Sequence, residues 1–268
     1  MLWRRRLWLW RLSCWLTHWL SNVFLRHGFF EQLNRGCSAL EDMFLYDAII
    51  IDQEFSSQTL KALTIDYSRF SDEYQTSISI QSLVHLSMEC PAGRVPSLQN
   101  MTSLVTASIR VLEENVVADT RQFLSGLSGV RNLDLNYPGK KLEMDRELQW
   151  CPKFSNLTDL TLGQWCLGAK FSTLTIFLQN SPMLEKLTLK LPEHGLSASA
   201  IIIGEPKERS FTCEHLQIVE VTCEEDNPLL NCVQDYLVAK GITSVQICIK
   251  CPSQIQREEP DFFRYEYR

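Results

Sequence analysis

Cysteine and histidine residues near the C-terminus are the side chains whose types could hold a metal ion. Cys248 and Cys251 form a C-x-x-C pair, and Cys213, His215 and Cys223 precede them in the chain. The residues between Cys213 and Cys223 favour a strand, which would separate the two thiols by about 30 Å at ~3.3 Å per residue. Because zinc ligands lie only ~2.3 Å from their ion, that separation is too large for one site. We therefore expect no metal site.

The same residues do not favour redox or hydrolytic chemistry. A redox-active C-x-x-C pair requires the N-terminus of a helix, whereas Cys248 lies in a strand-like run. The sequence contains no glycine-rich phosphate loop and no nucleophile motif, and its five histidines have no common spacing. The carboxylate runs Glu113–Glu114 and Glu224–Asp226 are typical of solvated loops. We expect a protein that is not an enzyme and that uses no cofactor.

Charge and cysteine content narrow the choice of partner and compartment. The first thirty residues contain five arginines and no acid, so setting them aside changes the formal net charge from −6 to −11. Phosphate contacts need clustered lysine and arginine, which predicts that the chain does not bind nucleic acid. The ten cysteines are scattered through the 268 residues, as is typical of reduced thiols. We therefore expect the cytoplasm or the nucleus.

Residues 1–36 form a basic, tryptophan-rich segment that we interpret as a helical cap or a tail. Its uncharged run, Leu12–Leu25, is shorter than the ~20 apolar residues that a membrane span needs. The sequence therefore predicts no membrane insertion, although two alternatives stay open at this point. The chain could be secreted or anchored, which glycosylation at the Asn100 or Asn156 sequon would support. Alternatively, its first residues could reflect an incorrect start.

A repeated apolar pattern indicates the elements that organise the whole chain. An apolar residue is followed by others three and five positions later, in nine copies separated by 20 to 32 residues. The copies are Leu40/Met43/Leu45, Leu60/Leu63/Ile65, Leu83/Leu86/Met88, Leu104/Ala107/Ile109, Val130/Leu133/Leu135, Leu157/Leu160/Leu162, Leu184/Leu187/Leu189, Leu216/Val219/Val221 and Ile242/Val245/Ile247. The last two residues of each copy share one face of a short strand, and a single copy cannot bury that face alone.

Helical spacing in the return segments completes the predicted architecture. Phe171, Leu174 and Leu178 precede Ser181–Pro182, and a similar apolar pattern at 230–237 precedes a glycine. We predict an α/β leucine-rich-repeat solenoid, shaped as a horseshoe of about nine irregular repeats. Its concave side would be a parallel sheet, and its helices would lie on the convex side.

Four stretches go beyond a generic repeat. Ser181-Pro-Met-Leu-Glu-Lys-Leu, together with Cys37-Ser-Ala-Leu-Glu-Asp-Met-Phe-Leu and Thr59-Leu-Lys-Ala-Leu-Thr-Ile, resembles the cadence of plant F-box leucine-rich-repeat proteins. The tail from Phe211 to Ile247 resembles the C-terminal FBD-type module of that family. The resemblance implies repeats at 37–210, an FBD-like module at 211–251 and a polar tail at 252–268.

In that family an F-box docks on the adaptor of a cullin-type ubiquitin ligase, and the repeats hold the substrate. Residues 1–36 contain no proline and no Leu-Pro-x-x-x-Leu motif, so the F-box is expected to be missing. The resemblance thus implies the substrate-recognition part of such a receptor, whose partners are an unknown protein target and, if the N-terminal segment still docks, the ligase adaptor. Two alternatives remain, a repeat fragment of a plant immune receptor and a non-functional F-box paralogue.

The binding surface is expected on the concave side, at the strand positions between the apolar ladder residues. Phe44 and Tyr46 are the candidate anchors, because aromatic side chains dominate interface hot spots. Asp134 and Asp159 lie upstream of Lys186 and Lys190, so the predicted surface changes charge along its length. The remaining candidates are Asp66, His85, Glu89, Arg110, Asn132 and Asn136.

Overall fold

The computed structural model describes residues 16–110, 120–136, 151–191, 215–224 and 227–251. The strands are β1 (Thr17–Ser21), β2 (Phe24–Leu25), β3 (Asp42–Tyr46), β4 (Ile49–Ile50), β5 (Glu54–Ser56), β6 (Ala62–Asp66), β7 (Arg69–Phe70), β8 (Ser77–Ser79), β9 (His85–Glu89), β10 (Ser97–Gln99), β11 (Thr106–Arg110), β12 (Asn132–Asn136), β13 (Asp159–Leu162), β14 (Lys186–Lys190), β15 (Ile218–Thr222) and β16 (Ile247–Lys250). The helices are α1 (Phe29–Gly36), α2 (Thr120–Gly126), α3 (Gly168–Asn180) and α4 (Leu230–Ala239).

Ten of these strands form one parallel sheet in which chain order and spatial order coincide. The order is β1-β3-β6-β9-β11-β12-β13-β14-β15-β16. Equivalent ladder residues of successive repeats face each other, as Met43, Leu63 and Leu86 do. The protein is therefore α/β with a large parallel sheet, and the apolar ladder positions line the buried side of that sheet.

The sequence prediction placed the last copy of the apolar pattern two residues too early in the chain. Ile247 pairs with Val219, and Ile249 aligns with Val221, two residues later than predicted. Val245, expected in the core, is 94% exposed. A 3₁₀ turn at Ser244–Gln246 shifts the strand, and the Gln246 side chain holds that turn by donating to the Leu216 carbonyl at 2.6 Å.

The N-terminal segment differs from the predicted helical cap or tail, because a strand precedes its helix. β1 pairs along its whole length with β3 and so extends the sheet beyond the nine predicted strands. Its ladder positions are His18, opposite Met43, and Leu20, opposite Leu45. Because the first of these positions holds a histidine, the apolar pattern did not predict this strand. Residues 1–15 and the polar tail at 252–268 lie outside the described residues.

Whether a return segment contains a helix depends on the number of residues in its repeat. Residues 42–110, all of them described, contain no helix. Their short return segments instead form the sheet β10-β8-β5 and, together with the upstream strand β2, the sheet β2-β4-β7. Helix α2 and the two predicted helices, α3 and α4, occur where the first ladder residues of successive copies are at least 26 residues apart. The expectation that the return segments of all repeats are helical was therefore wrong for the shorter repeats, because 20 to 23 residues cannot accommodate a strand, two turns and a helix.

A buried aspartate fixes α1 at the start of the sheet. Asp52 accepts hydrogen bonds from the backbone N–H groups of Gly28 and Phe30, both at 3.1 Å, and so caps a helix that has no side-chain cap of its own. The same contact brings the Phe30 ring to 3.6 Å from the Phe55 ring, centroid to centroid. Within the described ranges, no helix has the length and apolar character that crossing a lipid bilayer requires.

Candidate protein-binding surface

One side of the ten-stranded sheet is not covered by the core, and we call it the outer face. It consists of the alternate residues of each strand, which form three rows across the sheet. All twelve predicted site residues lie on it. The first row holds His85, Asn132, Asp159 and Lys186, the middle row Phe44 and Asp134, and the third row Tyr46, Asp66, Glu89, Arg110, Asn136 and Lys190. The alternation of apolar and polar residues along each strand is sufficient to produce this arrangement.

Exposed aromatic rings cover the N-terminal end of the outer face. Trp19 on β1 stacks on Phe44 of β3, with centroids 5.4 Å apart and an interplanar angle of 16°. Tyr46 contacts Tyr67 at 5.6 Å. Trp19, Tyr46 and Tyr67 are 56, 42 and 50% exposed, which is unusual for side chains of this size. We call Trp19, Phe44, Tyr46 and Tyr67 the aromatic strip.

Trp19 and Tyr67 were not among the predicted site residues. Trp19 lies on the strand that the ladder pattern did not identify, and Tyr67 lies just beyond the end of β6. The same turn follows β1, β3, β6 and β9, and its residues Asn22, Asp47, Tyr67 and Cys90 all have positive φ. Asparagine and aspartate are common in this left-handed conformation, whereas tyrosine is not. Tyrosine itself therefore does not indicate the positive φ at position 67, although Asn22 and Asp47 at the equivalent positions of other repeats do.

Two carboxylates lie next to the aromatic strip. Asp66 and Glu89 are register partners on β6 and β9. Burial raises the pKa of Asp66, and the neighbouring charge of Glu89 raises it further. Its Oδ1 atom is enclosed and has no hydrogen-bond partner. Asp66 is thus held beside another acid at a cost in free energy.

Glu89, in contrast, has partners on both sides. Its Oε1 accepts a hydrogen bond from the Tyr67 hydroxyl at 3.3 Å and lies 3.2 Å from Nη1 of Arg110. The Tyr67 pKa is raised, first by the charge of Glu89. Arg110 therefore pairs with Glu89, and its charge also lowers the pKa of Asp66, but by less than burial and Glu89 raise it.

The C-terminal half of the outer face is charged, but its charges are paired internally. Nζ of Lys190 lies 2.8 Å from Oδ2 of Asp134. Lys186 and Lys250 approach the two oxygens of Glu220 at 3.1 and 2.8 Å. Hydrogen bonding by Lys250 is the main cause that lowers the pKa of Glu220. The predicted change of charge along the surface is thus largely balanced inside it.

Smaller polar residues fill the middle of the outer face. His85 is exposed, and Asn132, Asn136 and Asp159 are half-buried. Asp159 accepts a hydrogen bond from the Thr158 hydroxyl at 2.9 Å. Gly163 lies beside Asn136, where an added Cβ would come within 2.2 Å of Oδ1 of that residue. Any larger residue at position 163 would therefore require the Asn136 side chain to shift.

Thiol chemistry is suppressed in the interior of the described chain. Burial raises the pKa of Cys151 to about 12 and raises the pKa of Cys166. Both thiols are therefore protonated at neutral pH and are poor nucleophiles. Among the residues that the structure describes, no three His, Cys, Asp or Glu side chains are grouped so as to hold a metal ion. Cys213, the first thiol of the cluster considered above, lies outside those residues.

Comparisons with known proteins give relatives of one kind. No family model matches the chain, and no solved structure does. The chain is similar to the MEIOTIC F-BOX protein MOF of Oryza sativa subsp. japonica, with 28% identity over 74% of the chain and 48% of the relative. An Arabidopsis thaliana F-box/FBD/LRR-repeat protein is 27% identical over 75% of the chain and 50% of its own length. An F-box/LRR-repeat protein of the same plant is 30% identical over 63% and 40%.

The chain thus spans half or less of the length of these relatives. Their names combine the F-box, the leucine-rich repeat and, in one case, the FBD module, which are the terms that the residue patterns had suggested. The parallel sheet, with its ladder of apolar residues, is compatible with repeats of this type. The chain is similar to plant F-box/LRR-repeat proteins.

Proposed function

We propose that the chain is a leucine-rich-repeat solenoid, curved as a horseshoe, that binds a protein target on the outer face of its ten-stranded sheet. The observation that carries the proposal is the aromatic strip, since exposed tryptophan and tyrosine side chains are the residues most enriched in binding hot spots. In this proposal residues 37–210 form repeats, to which β1 adds one more strand, and residues 211–251 form the FBD-like module. The twelve predicted site residues belong to the contact surface.

The relatives suggest what such binding would serve. Their names contain the F-box, so we place this chain in the same process, as the substrate-recognition part of a ubiquitin-ligase receptor. The target and the ligase adaptor are two separate partners in that proposal. The target would contact the outer face, and the adaptor would contact a surface outside it.

The test is affinity purification of the tagged full chain from plant cells, followed by mass spectrometry of the proteins recovered. The outer-face variant combines Trp19→Ala and Tyr46→Ala, two exposed rings that are not needed in the core. Phe24→Ala is the matched control, because Phe24 is also an exposed ring, 49% accessible, but lies on β2 in a separate small sheet. We expect the target to be recovered with the wild type and the control, but not with the outer-face variant.

The same experiment distinguishes the two partners. Recovery of a cullin and its adaptor with all three forms would support the ligase assignment, since the outer face is not expected to contact them. If every recovered protein binds the outer-face variant as well as the wild type, the proposed use of this surface is wrong.

A further inference from the structure

The first four strands of the large sheet present acids and aromatic rings on the outer face, but no lysine or arginine. Their outer-face residues include Asp42, Asp66 and Glu89, and none of their outer-face positions holds lysine or arginine. The first base in the third row is Arg110 on β11, which lies against Glu89. This end of the outer face therefore has a local negative charge that the described surface does not balance.

Asp66 is the part of this region where a cation would gain most. Its Oδ1 is enclosed without a hydrogen-bond partner, and its register neighbour Glu89 carries the same charge. A cation brought by a partner against this half-buried carboxylate would relieve the repulsion between the two acids. Burial already disfavours the charged carboxylate and raises its pKa, so a bound cation would bring that pKa down again.

Aromatic rings border the acid on two sides. Tyr46 is the register neighbour of Asp66 on β3, and Tyr67 directly follows Asp66 in the chain. The faces of tyrosine rings attract cations, and the planar guanidinium group both stacks on such rings and binds carboxylates through two N–H groups. The combination favours arginine over lysine, whose compact ammonium group does neither of these as well.

The aromatic strip continues from this pocket to an apolar contact. Trp19 and Phe44 stack on β1 and β3, so Trp19 is two strands and one row away from Asp66. At ~4.8 Å between strands and ~3.3 Å per residue, the separation is about 12 Å, which two long side chains reduce to about 10 Å. An extended polyproline-type segment advances ~3.1 Å per residue and repeats its direction every third residue, which covers about the same distance. An arginine and an apolar residue three positions apart would therefore reach both places at once.

We propose that the N-terminal end of the outer face binds an extended segment of a partner protein that carries an arginine followed, three residues later, by a large apolar side chain. The guanidinium group lies between Asp66 and Tyr67, and the apolar side chain lies on the Trp19–Phe44 stack. This inference rests on the proposed function of the outer face and names the chemistry of the partner.

The probe is a blocked, fluorescently labelled peptide Gly-Arg-Pro-Pro-Leu-Gly, and fluorescence anisotropy with the full chain measures its affinity. A second peptide with citrulline in place of arginine has nearly the same shape but no charge. We expect the arginine peptide to bind at concentrations below about 1 mM and the citrulline peptide to bind roughly tenfold more weakly or not at all. Raised salt should weaken the arginine peptide alone.

Protein variants test the pocket itself. Asp66→Asn preserves the shape of the side chain and removes its charge, and we expect it to weaken the arginine peptide roughly tenfold. Glu54→Gln, an exposed acid on β5 in a separate sheet, is the control and should leave binding unchanged. Thermal melting of both variants separates loss of binding from loss of folding, since Asp66→Asn should melt no lower than the wild type.

Several outcomes would overturn the proposal. One is that neither peptide binds the wild type at about 1 mM, and another is that Asp66→Asn binds the arginine peptide as well as the wild type does. If replacing Arg4, Arg5 and Arg6 by glutamine raised the peptide affinity more than about tenfold, the occupant would be the chain's own N-terminal segment. A concentration-dependent dimer that Trp19→Ala abolishes would identify a second copy instead.

The two proposals can fail separately. If the peptide does not bind but the purified target still depends on Trp19 and Tyr46, the chemistry assigned to the partner is wrong and the use of the surface stands. If the peptide binds through Asp66 but no recovered protein depends on the outer face, the pocket stands and the proposed function fails.

Discussion

Lys190 on β14 reaches across β13 to Asp134 on β12, and its Nζ lies 2.8 Å from Oδ2 of that aspartate. The pair crosses a full strand, so it fixes the positions of two side chains that the sequence places 56 residues apart. It also removes two charges from those available to a partner. The face therefore presents its free aromatic area at one end and its balanced charges at the other.

The first prediction concerns this pair. Lys190→Ala should lower the free energy of unfolding by about 0.2–1 kcal/mol, because both side chains are partly exposed and such pairs contribute little. Chemical denaturation at low and high salt measures the change, which should shrink as salt rises. The swapped variant, Lys190→Asp with Asp134→Lys, should recover most of the loss, whereas the exposed Lys153→Ala should cost nothing. A swapped variant no more stable than Lys190→Ala would show that the contact is not an ion pair in solution.

Asp66→Asn is expected to stabilise the fold. Burial and the charge of Glu89 raise the pKa of Asp66, so folding disfavours its carboxylate and the wild type loses stability as pH rises above the ordinary value of 3.8. The neutral amide avoids that loss, and the gain at neutral pH should be on the order of 1 kcal/mol or less. The gain should disappear below about pH 3.8, where the aspartate is protonated in both states.

The groups that surround Asp66 define its control. Glu89, Arg110, Tyr67 and Cys90 are the titratable or charged neighbours, and none of them changes in the variant. Asp134→Asn is the matched substitution, because it leaves Lys190 without its partner and should destabilise. A loss of stability in Asp66→Asn at neutral pH would mean that its charge is compensated after all.

A third prediction follows from the histidine in β1. Burial lowers the pKa of His18, so protonation must oppose folding, and the wild type should lose stability as pH falls through the ordinary value of 6.5. His18→Leu restores an apolar residue at the ladder position opposite Met43 and should stabilise the protein by about 1 kcal/mol, more at acidic pH.

His18→Gln separates the two effects. It removes the titrating group but keeps a polar side chain near Cys37, whose Sγ lies 3.6 Å from Nε2 of the imidazole. This variant should abolish the pH dependence of stability that His18 causes, but it should not gain the stability that an apolar side chain gives His18→Leu. If unfolding of the wild type and of His18→Gln changed equally between about pH 7 and pH 5, burial of the imidazole would not control this step.

Cysteine reactivity is the fourth prediction. Cys248 is exposed, whereas burial raises the pKa of Cys151 to about 12 and also raises the pKa of Cys166. Iodoacetamide at about pH 8 should therefore label Cys248 in the folded protein and leave the two buried thiols unmodified until denaturant is added. Peptide mass spectrometry locates the labels. Rapid labelling of Cys166 without denaturant would contradict its position in the core.

The sequence allowed much of the sheet to be predicted, for an identifiable reason. Residues such as Leu63 and Leu86 recur because each strand must bury the same two positions against its neighbours, so the pattern predicts both the strands and their register. Prediction failed where one position departs from the rule. His18 concealed the first strand, and the turn held by Gln246 moved the last by two residues.

The sequence predicted which residues lie on the outer face, but not which of their side chains contact one another. Alternation along the strands determines which side chains point outward, and it correctly grouped all twelve candidates on one face. It cannot determine which outward residues meet, because Lys190 and Asp134 come from repeats separated by another repeat. Tyr67 was missed for a related reason, since a backbone with φ of 51° places it beside Tyr46 and Glu89, and tyrosine itself does not indicate that conformation.

The one-to-one match between chain order and strand order has an evolutionary consequence. A duplication or deletion of one whole repeat would lengthen or shorten the sheet without rearranging any other strand pairing. Outward residues such as Thr64 and Ser87 contribute little to the core, so mutation can change them while the ladder residues on either side stay the same. Gene copies built on this plan can therefore change the chemistry of the outer face while keeping the same fold.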